Sequence, residues 1–168
     1  VLDLSRINAG AAPPRPADFD ATEELLTLVE SVRGMALKER LTIETDLPAK
    51  MPMHTDVRMV GQIVLNLVTN AVKFTTTGGV KVSLEQDGGQ AVLRVTDTGR
   101  GIATGDIGRI FEPFTQVIEP TEVKPKGAGL GLAISSRLAV LLGGSLSIES
   151  TSAAGSTFML RIPMTIEQ

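Results

Sequence analysis

Cysteine, tryptophan and tyrosine are absent from the 168 residues, and there is a single histidine, His54. Without cysteine there can be no disulfide, no thiolate zinc site and no cysteine nucleophile. One histidine cannot build a histidine-rich metal centre. No apolar run approaches the roughly 20 residues that span a bilayer. Residues 1–10 interrupt a short apolar stretch with Asp3 and Arg6 and do not read as a signal peptide. Basic charge is also scarce: the net charge is −3, and five phenylalanines are the only aromatics. The chain thus lacks both the positive field and the stacking platforms of a nucleic-acid binder. What is present is 42% hydrophobic and 21% charged, too apolar for a disordered chain. The length suits one domain with a buried core.

Leu2, Leu4 and Ile7 stand at near-helical spacing, and Asn8-Ala-Gly10 reads as a helix stop. Pro13, Pro14 and Pro16 then make a stiff linker. Residues 1–17 are therefore expected to be the end of an upstream helix plus a linker, and 18–168 one domain. Asp20-Ala-Thr-Glu23 has capping-box spacing. Leu25, Leu28, Val29, Val32 and Ala36 follow with helical period, predicting a helix to about Arg40. The alternation over 41–47 predicts a strand. A second helix is expected at about 57–73, capped by Thr55 or Asp56. Strands at 80–85 and 91–97 flank Asp87-Gly88-Gly89. A third helix, 130–142, ends at Gly143-Gly144, and strands 145–150 and 156–163 close the chain. Helices and antiparallel strands in blocks imply a two-layer α/β sandwich rather than a doubly wound parallel sheet.

The second helix carries an anomaly. Its apolar residues cover most of the circumference, so it should be largely buried. Yet Gln62, Asn66, Asn70 and Lys73 fall within roughly 80° of one another at helical spacing. Two readings fit this stripe: the solvated edge of an ordinary helix, or a face turned to a ligand of anionic and metal character. Amide oxygens suit a hard cation, and lysine suits a phosphate. In strand 91–97, Leu93, Val95 and Asp97 share a face, so a carboxylate ends a row of core residues. Glycines at 99 and 101 follow it. This is either a common turn or an acceptor at a pocket floor that takes a hydrogen bond from an exocyclic amine such as adenine's. Gly127-Ala-Gly-Leu-Gly-Leu132 opens the third helix, where free N–H groups suit phosphates. No strand precedes it, as a dinucleotide fold requires, and no P-loop occurs anywhere. Phe111-Glu-Pro-Phe114 reads as a hydrophobic anchor. Residues 115–126 have no core pattern, and Lys124 and Lys126 are placed to fold over an anion, which suggests a lid.

Taken in order, these motifs resemble the catalytic ATP-binding domain of sensor histidine kinases. Asn66-Leu-Val-Thr-Asn70-Ala-Val-Lys73-Phe74-Thr75 looks like the family's N box, and Asp97-Thr-Gly-Arg-Gly-Ile102 like its first glycine box. Phe111–Phe114 looks like the F box and Gly127–Leu132 like the second glycine box. Gly155-Ser-Thr-Phe158 matches the terminal Gly-[Ser/Thr]-x-Phe hairpin, and residues 2–10 are similar to the end of the dimerisation helix.

The resemblance implies the Bergerat fold, a mixed, mostly antiparallel sheet of about five strands under three helices. It also implies protein histidine kinase activity with ATP and Mg²⁺. Asn70 would hold the metal, Asn66 would assist, and Lys73 would contact phosphate. Asp97 would accept from the adenine amine, with Gly99 and Gly101 shaping that pocket. Gly127, Gly129 and Gly131 would form the lid hinge and phosphate cradle. Phe74, Ile102, Phe111, Phe114, Lys126, Leu130, Leu132 and Thr157 complete the implied nucleotide-binding set.

Two departures stand out. Lys126 and Ala128 replace the Gly and Thr of many relatives. No His-[Glu/Asp]-x-[Arg/Lys]-x-Pro phosphoacceptor motif occurs, and His54, followed by Thr55-Asp56, reads as structural or surface. The γ-phosphate is therefore expected to pass to a histidine in an upstream dimerisation domain, and from there to a downstream receiver domain. The whole protein would be a homodimer, this piece a monomer, and the domain cytoplasmic. Two other functions share the nucleotide site: a nucleotide-driven conformational clamp and a catalytically silent ATP-binding module. Asn66 argues against the clamp, since hydrolysing relatives carry a glutamate at that position.

Overall fold

The computed structural model describes residues 13–99, 101–102, 105–106, 110–111 and 131–167. Its elements are β1 (Ala17–Asp20), α1 (Ala21–Lys38), β2 (Thr42–Asp46), β3 (Pro52–Thr55) and α2 (Val57–Phe74). They continue with β4 (Gly79–Asp87), β5 (Gln90–Asp97), α3 (Gly131–Leu141), β6 (Ser145–Ser152) and β7 (Gly155–Pro163).

Five strands form one sheet in the order β2-β4-β5-β7-β6. Only β2 and β4 are parallel, because α2 lies in the connection between them; the hairpin-linked neighbours are antiparallel. Three helices and a mixed five-stranded sheet make the expected two-layer α/β sandwich. Val29, Val32, Ile63, Val64, Val68, Val72, Val82, Val95 and Leu160 are fully buried between the layers. The wide apolar circumference of α2 has the expected explanation: it packs on β4 and β5 and is flanked by α1 and α3.

A second, two-stranded sheet pairs β1 with β3, from Ala17–Thr55 to Asp20–Pro52. No expectation covered it. The tail reinforces it, as His54 N–H donates to the Met164 carbonyl and Ile166 N–H to the His54 carbonyl, each at 2.8 Å. His54 Nδ1 lies 2.8 Å from exposed Asp18, in keeping with a structural or surface role.

The helix ends follow local rules with two surprises. Asp56, not Thr55, caps α2, its Oδ1 accepting from Arg58 and Met59 N–H. Its Oδ2 accepts from the Arg15 backbone at 2.9 Å, so the proline-rich linker is tied to the cap of α2. The Thr55 hydroxyl is buried without a partner among the described residues. Helix α1 stops at Lys38, two residues before the expected end. Arg40 N–H donates to the Leu37 carbonyl and Leu41 N–H to the Ala36 carbonyl, with Arg40 at φ 58°. This is a Schellman stop with arginine in the left-handed position that glycine usually fills. No glycine marks it, so the pattern overran. Gly143, at φ 87°, makes the same stop after α3.

Candidate functional site

On α2 the stripe falls as its spacing requires. Gln62 and Lys73 are exposed, and Asn66 and Asn70 are half-buried. Asn66 is held firmly. Its Nδ2 donates to the Gly131 carbonyl at 3.2 Å and to Ser135 Oγ at 3.0 Å, while Oδ1 accepts from Gln62 Nε2 at 3.2 Å. Gly131 opens α3 directly against the stripe. A Cβ there would lie 3.8 Å from Asn66 Cγ and 3.9 Å from Asn70 Nδ2. The residues of the N box and the last glycine of the second glycine box are thereby brought together, 65 positions apart. The Asn70 amide forms no hydrogen bond among the described residues.

The other wall is built around Asp97. Its backbone pairs with Val80 of β4 and Ser156 of β7, deep in the sheet. Asp97 Oδ1 accepts from Gly99 N–H at 2.8 Å. Burial pushes the carboxyl pKa upward, and hydrogen bonds from the Gly99 and Ser156 N–H groups offset this only in part. Gly99 runs so close beneath α2 that a Cβ would come within 2.6 Å of the Phe74 carbonyl. Gly101, at φ 77°, leaves no room either, since a Cβ would meet the Ser152 carbonyl at 1.9 Å. Ile102 N–H donates to Thr151 Oγ1, which also pairs with Ser156 Oγ at 2.8 Å. The strap after Asp97 is thus fastened to the β6–β7 hairpin. Half-buried Phe111 packs edge-on against Phe158, ring centroids 6.3 Å apart, as an anchor should.

Two placements differ from the simplest reading of the motifs. Thr157 lies in register with Thr96, on the sheet face away from Asp97, and their hydroxyls meet at 3.0 Å. Ser156 stands beside Asp97 instead. Counting back by two from core residues Leu160 and Phe158 would have found it. Ser135, fully buried, was also missed, and a small polar residue inside a helix carries no signal of its own. Leu132 is half-buried against the core. Phe114, Lys126, Gly127, Gly129 and Leu130 lie outside the described residues, as does the whole 115–126 segment.

A cavity of about 20 Å³ between α1 and the sheet is lined by apolar side chains such as Ala21, Met53, Leu93 and Leu160. It has the volume of about one water and offers no polar partners for a ligand. No cluster of three or more His, Asp or Glu among the described residues could hold a metal. A cation here would rest on the half-buried amides, and hard oxygen donors such as these suit magnesium when phosphates supply the rest.

Comparison with known proteins agrees with this geometry. Residues 55–166 match the family described as histidine kinase-, DNA gyrase B-, and HSP90-like ATPase. The chain is 33% identical over 168 residues to the sensor histidine kinase RcsC of Escherichia coli strain K12, covering 98% of this chain. It is 37% identical over 175 residues to the sensor protein TorS of the same strain, covering 99% of this chain. In both cases the match spans 18% of the relative's length. Among solved structures, full-length ShkA in complex with AMPPNP superposes with a TM-score of 0.85 at 34% identity. That match covers 99% of this chain and 35% of ShkA.

Proposed function

The chain belongs to the histidine kinase-, DNA gyrase B- and HSP90-like ATPases, and we propose that its site loads ATP for transfer of the γ-phosphate to a histidine elsewhere. It is the ATP-binding catalytic domain of a sensor histidine kinase. In this reading, residues 18–168 form that domain and residues 1–17 lead in from an upstream dimerisation helix. The acceptor imidazole belongs to that upstream domain, and a receiver domain takes the phosphate next. The whole protein works as a homodimer with this domain in the cytoplasm. Among the described residues no helix is long and apolar enough to cross a membrane.

The observation that carries the proposal is the Asp97 carboxylate, half-buried at the end of a core row, with desolvation outweighing the N–H groups of Gly99 and Ser156. An exocyclic amine fits it, and a guanine carbonyl would be repelled. Gly99 and Gly101 let the strap after Asp97 lie against the Phe74 and Ser152 carbonyls, which shapes the wall beside the carboxylate. Asn70 offers an amide with no partner among the described residues, Lys73 an exposed cation on the same stripe, and Gly131 at the start of α3 faces both amides. Magnesium, when bound, neutralises phosphate charge, and Asn70 with Asn66 would hold it. These side chains position and polarise; they move no proton. An amide cannot act as a base near neutral pH, so Asn66 cannot activate water as a carboxylate can. An imidazole needs little such activation. Its nitrogen forms the bond to the γ-phosphorus as the bond to the bridging oxygen breaks and ADP leaves.

Titration with a non-hydrolysable ATP analogue and Mg²⁺ tests the site. Asp97→Asn and Asn70→Ala should each weaken binding. If both bind like the parent, the assignment is wrong. Joining the upstream helices and assaying acid-labile phosphate separates a kinase from a silent nucleotide-binding module.

A further inference from the structure

Asn66 differs from Asn70 in that both ends of its amide are already engaged. An amide is nearly symmetric in shape but not in chemistry: one end donates and the other accepts. The Gly131 carbonyl only accepts, so it demands the NH₂ end. Ser135 lies one helical turn further along α3, on the same face. Its hydroxyl, 0% exposed, takes the second N–H of the same group at 3.0 Å. The acceptor end is thereby turned out of the seam between α2 and α3, onto the exposed side where Gln62 reaches it.

We infer that Ser135 is a positioning residue for the nucleotide site, holding Asn66 with its oxygen toward the ligand and its NH₂ toward α3. The inference rests on the ATP reading above and extends it to a residue outside the four motifs. Exposed Gln62 is readily displaced from Asn66 Oδ1, whereas buried Ser135 is not. The phosphate and metal end of the ligand therefore meets a preset oxygen rather than an amide free to rotate. Because Ser135 and Gly131 belong to α3, the docking of that helix also sets the state of Asn66.

The test is a double-mutant cycle with Ser135→Ala and Asn66→Ala in the full chain, read by calorimetric titration. Two probes are used: a non-hydrolysable ATP analogue with Mg²⁺, and adenosine alone. Alanine is the better helix former, so α3 is retained, and circular dichroism checks it. Loss of one hydrogen bond predicts about three- to tenfold weaker binding of the Mg²⁺-nucleotide by Ser135→Ala. Adenosine affinity, set at Asp97, should not change. In the Asn66→Ala background, Ser135→Ala should add nothing. Unchanged Mg²⁺-nucleotide affinity overturns the inference, as does equal loss for adenosine or additivity in the cycle. A parent chain that binds neither probe overturns the ATP reading itself and this inference with it. A parent that binds with an indifferent Ser135→Ala overturns the inference alone.

Discussion

Asp97→Asn separates function from stability in opposite directions. The substitution keeps the shape and removes the charge. In the parent, the carboxylate is half-buried at the end of β5, and desolvation outweighs the help of the Gly99 and Ser156 N–H groups, so its pKa is raised. A group whose folded-state pKa is raised contributes most to stability when protonated. That contribution is present in acid and is lost as pH rises through the raised value. At neutral pH the empty site therefore holds a charge the fold would rather not carry. In the proposed site nucleotide binding would reverse the balance, because an adenine amine would donate to the ionised form. A hydrogen bond to a charged acceptor is worth about 1.5–3 kcal/mol, or roughly 10- to 150-fold in affinity. The variant should bind the ATP analogue that much more weakly and discriminate less against guanine. Its melting temperature without ligand, relative to the parent's, should rise as pH increases from the usual aspartate range through the raised value. Parent affinity should fall on acidification already above the usual aspartate range, and the variant should lose that dependence. Binding within about twofold of the parent, or a stability gap that narrows toward neutral pH, would refute the reasoning.

Other positions give independent checks. Arg40→Gly should stabilise the chain by about 0.5–1 kcal/mol in urea unfolding, because arginine is held at φ 58° where glycine has no penalty. Asp56→Ala removes the cap of α2 and the anchor of the Arg15 backbone. It should cost about 1–2 kcal/mol and speed hydrogen exchange over residues 15–20. Gly101→Ala adds a Cβ at 1.9 Å from the Ser152 carbonyl with φ 77°; more than about 1 kcal/mol should be lost, along with nucleotide affinity. The parent chain should show no sustained ATP hydrolysis, because the Asn66 amide takes no proton from water, and Asn66→Glu, which supplies a carboxylate at that position, should raise it. Robust multiple-turnover hydrolysis by the parent would favour a clamp.

Much of the fold was readable because long amphipathic periods leave few alternatives. Helix α2 and the hairpin β4–β5 were placed within a residue or two, since Val60 to Val72 and Leu93, Val95 and Asp97 each settle a face. Strands β1 and β3 were not readable. Each has four residues, one starts with Pro52, and they pair over a separation that no local pattern reports. The end of α1 was misplaced for a different reason. Arg40 adopts a backbone conformation its side chain disfavours, and tertiary contacts at Leu41 and Ala36, both buried, hold it there.

The same division runs through the site. Helical spacing was enough to align Asn66 with Asn70, since position on a helix is a local property. Orientation of an amide is not local. Rotating the Asn66 amide by half a turn leaves its shape, volume and place on the wheel unchanged, yet exchanges donor for acceptor. What selects one orientation is the carbonyl of Gly131, which can only accept; the hydroxyl of Ser135 adapts to it and adds a second bond, both supplied by a helix 65 and more positions away. For Asp97 the sequence showed a carboxylate at the end of an apolar row. Whether it would be satisfied there depended on how many donors the strap and β7 could bring. Among the described residues two N–H groups reach it, and burial outweighs them. A donor from a ligand would answer that imbalance, which is why the proposed reading makes the carboxylate part of a site and not only of a turn.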